Sequence, residues 1–325
     1  MNLDLDSTGQ LGEIRALPVH LSDALWRVES ASIAPSRSAG LAICGMGGSG
    51  VGASLAIGVL GERAQRPVVA LRGYSLPAWV GEDWTVLLSS YSGNTEETLA
   101  CWDAAAHTRR IVVSTGGELV ERAREARVPV IPLPGGFQPR AAVGYATVVA
   151  LEVAALCGAT ASLREEIERA AALLASLVDA VDGEARELAA VLKDCVPVFC
   201  GAGLTAPVAY RWKCQVNENA NRAAFWSELP EFDHNEIEGW GDRSVLAPVF
   251  LEDAQAPDRI RRRFDLTADV IGGAHRITTR GETPTERLMS LVLLGDLVSF
   301  HLAVNDGTDP VAIPALQRLK AELCD

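Results

Sequence analysis

Short apolar runs alternate with longer segments of helical spacing along most of the chain. In the first half, five apolar runs are bounded by glycine or polar turn residues, a pattern that predicts strands. The predicted strands are Leu41–Cys44, Pro67–Leu71, Thr85–Ser89, Arg110–Ser114 and Val128–Ile131, and the helices among them are Val51–Leu60, Glu96–Ala106 and Glu118–Ala126. This alternation predicts a parallel sheet covered by helices on both faces.

The same alternation restarts in the second half, beyond a long stretch of helical character. Thr160–Lys193 predicts one or two connecting helices, interrupted near Asp182–Gly183. The strands predicted after it are Val196–Cys200, Ser244–Leu251 and Ala274–Thr278, and the remaining helices are Leu3–Ser30, Ala141–Leu156, Thr205–Ala220, Pro257–Val270, Pro284–Val304 and Val311–Glu322. We therefore predict an α/β fold of two parallel-sheet sandwiches joined by a helical linker, with domains 1–158 and 159–325.

Polar turns follow two strands of the first half. Thr85–Thr98 reads TVLLSSYSGNTEET, and Gly45–Gly50 reads GMGGSG, each at the passage from a buried strand into a helix. A helix N-terminus directs free backbone N–H groups and the positive end of the helix dipole at one point, which suits a phosphate. Neither turn contains the lysine of a nucleotide P-loop. We expect a phosphate that is held as a handle rather than cleaved.

Two other interpretations of these turns remain open. Each turn by itself could be an ordinary capped strand–helix connection. Gly45, Gly47 and Gly50 also match the dinucleotide pattern GxGxxG, although Arg72 stands where an acid is expected after the next strand. An arginine at that position would suit the 2′-phosphate of NADP. A dinucleotide fold does not need the second turn, however, and ligands lie at the carboxyl ends of parallel strands, so both turns are expected to converge on one anion.

Composition and charge narrow the class of protein. The chain has 325 residues, of which 48% are hydrophobic and 22% charged, enough for a packed core. Its net charge of -13 argues against nucleic acid as a partner, so an anionic ligand must be held by local donors. Seven cysteines lack any CxxC or metal-binding spacing, as in a reducing cytosol. We expect a cytoplasmic protein, since the N-terminus lacks a signal-peptide pattern and Leu288–Phe300 is broken by Asp296 and too short to span a bilayer.

The glycine turn and the serine-threonine turn together resemble the sugar isomerase (SIS) domain, which binds the phosphate of phosphosugars. The resemblance implies a flavodoxin-like sandwich and a phosphate cradle made by Gly47, Gly48, Ser49, Ser90, Ser92 and Thr95. These two motifs alone would fit an isomerase, half of an amidotransferase or a sugar-phosphate-sensing regulator.

Four further segments make the resemblance more specific. They read GGFQPRAAVGY (135–145), NENA (217–220), PEFDHNEIEGW (230–240) and GTDPVAIPALQRLK (307–320). The set resembles the bifunctional phosphoglucose/phosphomannose isomerase family over about Ile43 to Lys320. The resemblance implies interconversion of glucose 6-phosphate, mannose 6-phosphate and fructose 6-phosphate without a metal or organic cofactor. It also implies a homodimer and leaves open that His234 completes the neighbour's site.

Aldose–ketose isomerisation needs a base that reaches two carbons and a cation beside the developing oxyanion. The resemblance assigns the base to Glu218, enediolate stabilisation to Arg140 and ring opening to His234. It assigns help in ring opening, or a contact with the sugar hydroxyls, to Lys320. The alternative for each residue, taken singly, is a solvated or structural side chain. We expect the four to meet at an interdomain cleft, and the remaining histidines to be structural or exposed.

Two functional alternatives stay open from the sequence. A non-catalytic sugar-phosphate sensor or scaffold would keep the cradle but would not need all four of Arg140, Glu218, His234 and Lys320. An NADP enzyme would use the glycine turn differently and would bind nicotinamide.

Overall fold

A computed structural model describes residues 3–241 and 245–323 of the chain. Its contacts divide into two compact units. The first unit comprises Ala16–Leu173 with Thr283–Glu286, and the second comprises Met1–Arg15, Leu174–Glu282 and Arg287–Asp325. The division predicted from the sequence, 1–158 and 159–325, differs from these units in residues 1–15, 159–173 and 283–286.

The first unit contains a five-stranded parallel sheet in the order β2-β1-β3-β4-β5. Its strands are β1 (Leu41–Cys44), β2 (Val68–Leu71), β3 (Thr85–Ser89), β4 (Arg109–Ser114) and β5 (Val130–Pro132). Its helices are α2 (Leu17–Ser30), α3 (Gly47–Leu60), α4 (Glu96–Ala104), α5 (Gly117–Glu125) and α6 (Val143–Leu156), with a 3-10 turn at Gly61–Arg63. β1 and β3 are buried at every position, which is why their sequences read as unbroken apolar or small-residue runs.

Helices on both faces of this sheet form its core. Apolar residues of α4 and α5 form one buried cluster with residues of β1, β3 and β4, and Val86, Trp102 and Leu119 all belong to it. α3 packs closely against α6, since a Cβ on Gly52 would lie 2.5 Å from the Ala146 methyl group. The first half therefore has the predicted sandwich. Its strand order is flavodoxin-like, because strands are added on one side of β1 and then, from β3 onward, on the other.

The second unit contains a four-stranded parallel sheet in the order β7-β6-β8-β9. Its strands are β6 (Val196–Ala202), β7 (Phe225–Leu229), β8 (Leu246–Glu252) and β9 (His275–Thr278). Its helices are α1 (Gln10–Arg15), α8 (Ala206–Asn219), α9 (Asp258–Val270) and α11 (Pro314–Leu323), most of α10 (Pro284–Asn305), and 3-10 turns at Leu3–Leu5, Gly203–Thr205, Glu231–His234 and Glu236–Gly239. The predicted fold class, α/β with two parallel sheets, is confirmed. Ser244, the first residue of the predicted strand Ser244–Leu251, lies outside the described residues.

The linker prediction needs one correction. α7 (Arg164–Val191) runs without interruption through Asp182–Gly183. Asp182 is buried and accepts hydrogen bonds from Arg186, one turn ahead, and from His301 at 2.7 Å. Although burial opposes ionisation, the bonds from His301 and Arg186 lower the pKa of Asp182. These contacts stabilise the helix at the place where its glycine predicts a break.

One helix of the described chain, α10, is long and apolar enough to cross a bilayer by length and composition, contrary to the expectation from Leu288–Phe300. Within its 22 residues the most apolar 18-residue window reaches a mean hydropathy of 1.6, but 94% of that window is buried inside the protein. It also carries the buried polar residues Asp296 and His301. This is the pattern of a core helix.

Candidate active site

The two polar turns lie side by side at the carboxyl end of the first sheet. β1 pairs directly with β3, so the turns that follow them are neighbours. A Cβ built on Gly45 would lie 2.8 Å from the Ser89 carbonyl oxygen and 3.0 Å from Ser49 Cβ. Gly45 is therefore the point at which the end of β3 and the start of α3 come close together.

The glycine turn is itself the first turn of a helix. α3 begins at Gly47, whereas the sequence predicted a start at Val51. Gly47 and Gly48 thus belong to the segment whose backbone N–H groups have no partner within the helix. Gly47 has a φ of +51°, and a Cβ on Gly48 would lie 2.7 Å from the Pro139 carbonyl oxygen. Ser49, half-buried in the same turn, adds a hydroxyl group to these donors.

The serine-threonine turn is held by its own hydroxyl groups. Ser90 Oγ and Thr95 Oγ1 are hydrogen-bonded at 2.8 Å, and Gly93 N donates to Ser90 Oγ at 3.0 Å. Ser92 Oγ accepts from Asn94 N at 3.2 Å and the residue is exposed. Thr95 immediately precedes α4, so this turn also ends in a helix N-terminus. The sequence residues assigned to the cradle therefore lie on two adjoining helix starts, an arrangement suited to an anion.

The loop that carries Arg140 adjoins both turns. It connects β5 to α6, and Arg140 is buried at 3% exposure. Tyr91 of the serine-threonine turn donates its hydroxyl to the Pro134 carbonyl oxygen and accepts from Phe137 N, both at 3.0 Å. Together with the approach of Pro139 to Gly48, these contacts place the arginine loop against the cradle.

In the second unit, Glu218 is the penultimate residue of α8 and is half-buried. α8 is fixed to α10 along one face. Arg211 and Asp296 form a buried two-point ion pair at 2.9 and 2.5 Å. Asn219 Nδ2 donates to Ser299 Oγ at 2.9 Å. Burial raises the pKa of Asp296, against the influence of Arg211 and Gln215. The helix turn that carries Glu218 is thus rigidly held.

His234 and Lys320 are both exposed. His234 ends a short 3-10 helix, and its acidic neighbours accept hydrogen bonds from other groups. Asp233 accepts from Arg263 and Thr267, each at 2.7 Å, and Glu236 accepts from Ser227 at 2.6 Å. Lys320 lies on α11. The roles of Glu218, His234, Lys320 and Arg140, and of the six cradle residues, stay predictions.

Other chemistry suggested by the sequence has a structural context too. Arg72 is the residue that would suit the 2′-phosphate of NADP. It donates to the Gly50 carbonyl oxygen at 3.1 Å and to Ser54 Oγ at 2.7 Å, so its guanidinium group is hydrogen-bonded to α3. Over residues 3–241 and 245–323, no group of three or more His, Cys, Asp or Glu side chains is placed to hold a metal ion. Six cysteines are free thiols, and Cys324 lies outside the described residues.

Sequence reasoning gave no role to Tyr91 or to the α8–α10 contacts. Tyr91 was noted only as part of a hydroxyl-rich turn, and its partners lie more than 40 residues further along the chain. Asp296 was noted only as a break in an apolar run. A charged residue in a buried helix is a signal that a buried partner is needed, and this signal could have indicated Arg211.

Comparisons with known proteins agree with this architecture. The family profile described as "Bacterial phospho-glucose isomerase C-terminal SIS domain" matches residues 181–323. The fold is similar to the C-terminal domain of glucosamine-fructose-6-phosphate aminotransferase from Francisella tularensis, with a TM-score of 0.75 at 16% identity over 93% of this chain and 98% of that one.

Two further relatives share more sequence identity with this chain. The D-glucosamine-6-phosphate 4-epimerase of Sulfolobus acidocaldarius is 34% identical over 81% of this chain and 82% of its own length. The bifunctional phosphoglucose/phosphomannose isomerase of Aquifex aeolicus is 34% identical over 87% of this chain and 90% of its own length. With identity maintained over nearly the whole of both sequences, the chain belongs to the bifunctional phosphoglucose/phosphomannose isomerase family.

Proposed function

We propose that this protein is an aldose–ketose isomerase that interconverts glucose 6-phosphate, mannose 6-phosphate or both with fructose 6-phosphate. The observation that carries the proposal is the adjoining pair of lysine-free helix starts with the Arg140 loop braced against them. In this proposal the turns hold a phosphate by donors that take no part in chemistry, and the buried Arg140 acts beside it. Membership of the family supports the isomerase over a non-catalytic sensor.

The proposed reaction is an internal proton transfer. After ring opening, assisted by His234 and Lys320, the Glu218 carboxylate removes the proton from C2 of the aldose. The electrons form a cis-enediolate, whose oxyanion is stabilised by Arg140. Glu218 then returns the proton to C1, while the hydroxyl proton moves from O2 to O1, and the ketose results. Mannose 6-phosphate, the C2 epimer, gives the same enediolate.

Phosphate binding supplies the positioning that this transfer requires. Gly47, Gly48, Ser49, Ser90, Ser92 and Thr95 are proposed to hold the phosphate at the end of the substrate remote from C1 and C2. Holding reacting groups in place in this way can lower a barrier by about 7–11 kcal/mol. The bond to the phosphate is neither formed nor broken, which agrees with a cradle that lacks lysine.

Glu218→Gln tests the assignment of the base. We expect isomerisation of all hexose 6-phosphates to fall by roughly 10²–10⁴-fold or more, the usual contribution of a general base, with fructose 6-phosphate still bound. Coupled assays measure turnover, and calorimetry measures binding. Glu187→Gln, the same change at an exposed position on α7, is the matched control and should keep full activity. Retained turnover in Glu218→Gln would remove this residue from the role.

The substrate panel separates the alternatives. Glucose, mannose and fructose 6-phosphates test the proposal, and glucosamine 6-phosphate is included because the Sulfolobus relative is named for that substrate. A wild-type protein that binds these sugars and converts none would be a sensor rather than an enzyme. Nicotinamide fluorescence that responds to the protein would indicate the NADP alternative.

The cellular setting is part of the same proposal. A hexose-phosphate isomerase of this type would act in the cytoplasm, in glycolysis and gluconeogenesis, with sugar phosphates as its small-molecule partners. We propose a homodimer, which sedimentation analysis of the full chain would test directly. No nucleic-acid or membrane partner is proposed.

A further inference from the structure

We propose that Tyr91 is a positioning residue for the isomerase reaction, because its hydroxyl fastens the serine-threonine turn of the cradle to the loop that carries Arg140. The inference rests on the proposed function, since it concerns how Arg140 is set relative to a bound phosphosugar. Tyr91 touches neither the phosphate nor the reacting carbons in this proposal. It acts through the loop that it holds.

The main chain of Tyr91 is firmly held. Its carbonyl oxygen accepts from Thr115 N at 3.0 Å and from Thr115 Oγ1 at 2.8 Å, which ties the turn to the end of β4. Ser90 and Ser92, both assigned to the cradle, flank it directly in sequence. The position of the Tyr91 side chain is therefore fixed by the same backbone that sets these two hydroxyl groups.

The Tyr91 hydroxyl reaches the middle of the arginine loop. It donates to the Pro134 carbonyl oxygen and accepts from Phe137 N, so both of its hydrogen-bonding directions are used. Between these two partners lie Gly135 and Gly136, the second with a φ of +100°, and neither would have any atom within 4 Å of a Cβ. Two adjacent glycines with open space around them restrict the backbone little, and the Tyr91 hydroxyl holds the residues on either side of them.

The far side of the loop rests on aromatic rings. Phe137 lies 5.0 Å from His20 and 6.0 Å from Tyr145, measured between ring centroids. The loop then makes a turn over 138–141, which is closed by a hydrogen bond from Ala141 N to the Gln138 carbonyl oxygen at 2.8 Å. Arg140 lies inside this turn. Loss of the tyrosine hydroxyl would leave the ring contacts in place but release the polar attachment to the cradle.

A consequence separates this role from one in phosphate binding. The internal hydrogen bonds of the cradle, from Ser90 to Thr95 and from Gly93 to Ser90, do not involve the Tyr91 hydroxyl. Its removal should therefore leave phosphate affinity intact and misplace the cation that stabilises the enediolate. Since small displacements of a catalytic group lower the rate strongly, the effect should fall on kcat.

Tyr91→Phe is the test, and Tyr145→Phe is its matched control. Tyr145 is buried and its ring stacks on Phe137 of the same loop, but its hydroxyl donates to Asp23 Oδ2 at 2.9 Å rather than to the loop. In Tyr91→Phe we expect kcat to fall about tenfold, the equivalent of one good hydrogen bond in the transition state, with KM and the inhibition constant of inorganic phosphate changed less than about twofold. Affinity for a hydroxamate analogue of the enediolate should fall with kcat. Tyr145→Phe should keep wild-type kinetics.

A measurement independent of activity keeps the inference separate from the proposed function. Amide hydrogen exchange over 134–140 should be faster in Tyr91→Phe than in the wild type and unchanged in Tyr145→Phe. Unaltered exchange in Tyr91→Phe would overturn the attachment of the loop by Tyr91, whether or not the protein is an isomerase. Wild-type kcat in Tyr91→Phe, or an equal loss of phosphate affinity, would overturn the positioning role. A wild type that converts no hexose phosphate would instead refute the proposed function.

Discussion

Replacement of Gly295 by alanine should destabilise the second unit, because the glycine allows α10 to touch the indole of Trp212 on α8. An added Cβ would lie 2.1 Å from Trp212 Nε1 and 2.3 Å from its Cδ1. The ring would have to withdraw by more than an ångström to reach ordinary contact. It has little room to do so, since Trp212 is 1% exposed and its Nε1 donates to the Leu291 carbonyl oxygen at 2.8 Å.

The magnitude follows from these two contacts. Overpacking a core costs about 1–3 kcal/mol, and a buried N–H that loses its partner costs about 1–3 kcal/mol. Alanine in place of glycine in a helix returns about 0.5–1 kcal/mol. Taking the middle of each range, we expect Gly295→Ala to lower the free energy of unfolding by about 3 kcal/mol, a large part of the about 5–15 kcal/mol of a typical native protein.

Gly183→Ala supplies the matched control, since it makes the same change inside another helix. Gly183 is exposed on α7 and a Cβ there would meet no atom within 4 Å. This variant should gain about 0.5–1 kcal/mol. Urea unfolding, followed by tryptophan fluorescence and by far-ultraviolet circular dichroism, measures both. If Gly295→Ala unfolds at the wild-type urea concentration, the close approach of α8 and α10 does not constrain the position of α8.

Two further predictions concern buried titratable groups. Asp296→Ala leaves the Arg211 guanidinium buried without its carboxylate, so urea unfolding should show a loss of about 3–5 kcal/mol, and the double change Arg211→Met with Asp296→Leu should recover much of it; equal stability of the two variants would contradict this. Burial lowers the pKa of His20 to about 4. Because the folded state favours the neutral ring, the stabilisation is complete above pH 6.5 and is lost as pH falls to about 4, by about 3 kcal/mol. His20→Phe should lack this part of the pH dependence, and an unchanged profile would show that His20 does not titrate in this way.

The sheets could be predicted closely because their central strands are buried on both faces. Leu41–Cys44 and Thr85–Ser89 begin and end where the apolar pattern does. β7 (Phe225–Leu229) was missed. It is an edge strand in which Phe225 and Trp226 are exposed, so it lacks both the unbroken apolar run of a central strand and a clean alternation.

Helix boundaries were less predictable where tertiary contacts oppose local preference. Glycine is a poor helix former, so the sequence placed the start of α3 at Val51 rather than Gly47. The structure uses those glycines because Ser89 and Pro139 approach too closely for a side chain at Gly45 and Gly48. The predicted break at Gly183 failed for the opposite reason, since Asp182 is held by partners that are distant in sequence.

The candidate site also combines features that are local in sequence with features that depend on tertiary contacts. Its turns could be found because a phosphate site built from helix starts is a local feature, written in consecutive residues. The attachment of Tyr91 to the arginine loop is not local, because its two partners lie 43 and 46 residues away along the chain. No spacing rule connects a hydroxyl to a backbone amide over that distance.

The absence of lysine from the two turns has a consequence for how such proteins diversify. A phosphate cradle made of main-chain amides and small hydroxyl groups depends on the backbone conformation at two strand ends. It contributes no acid, base or metal ligand to any particular reaction. If the two turns bind phosphate as proposed, residues elsewhere could change and supply new chemistry while a sugar phosphate is still bound. Phosphate binding that is independent of the reaction would produce relatives with different activities. Two relatives that are each 34% identical to this chain are indeed named as an isomerase and as an epimerase.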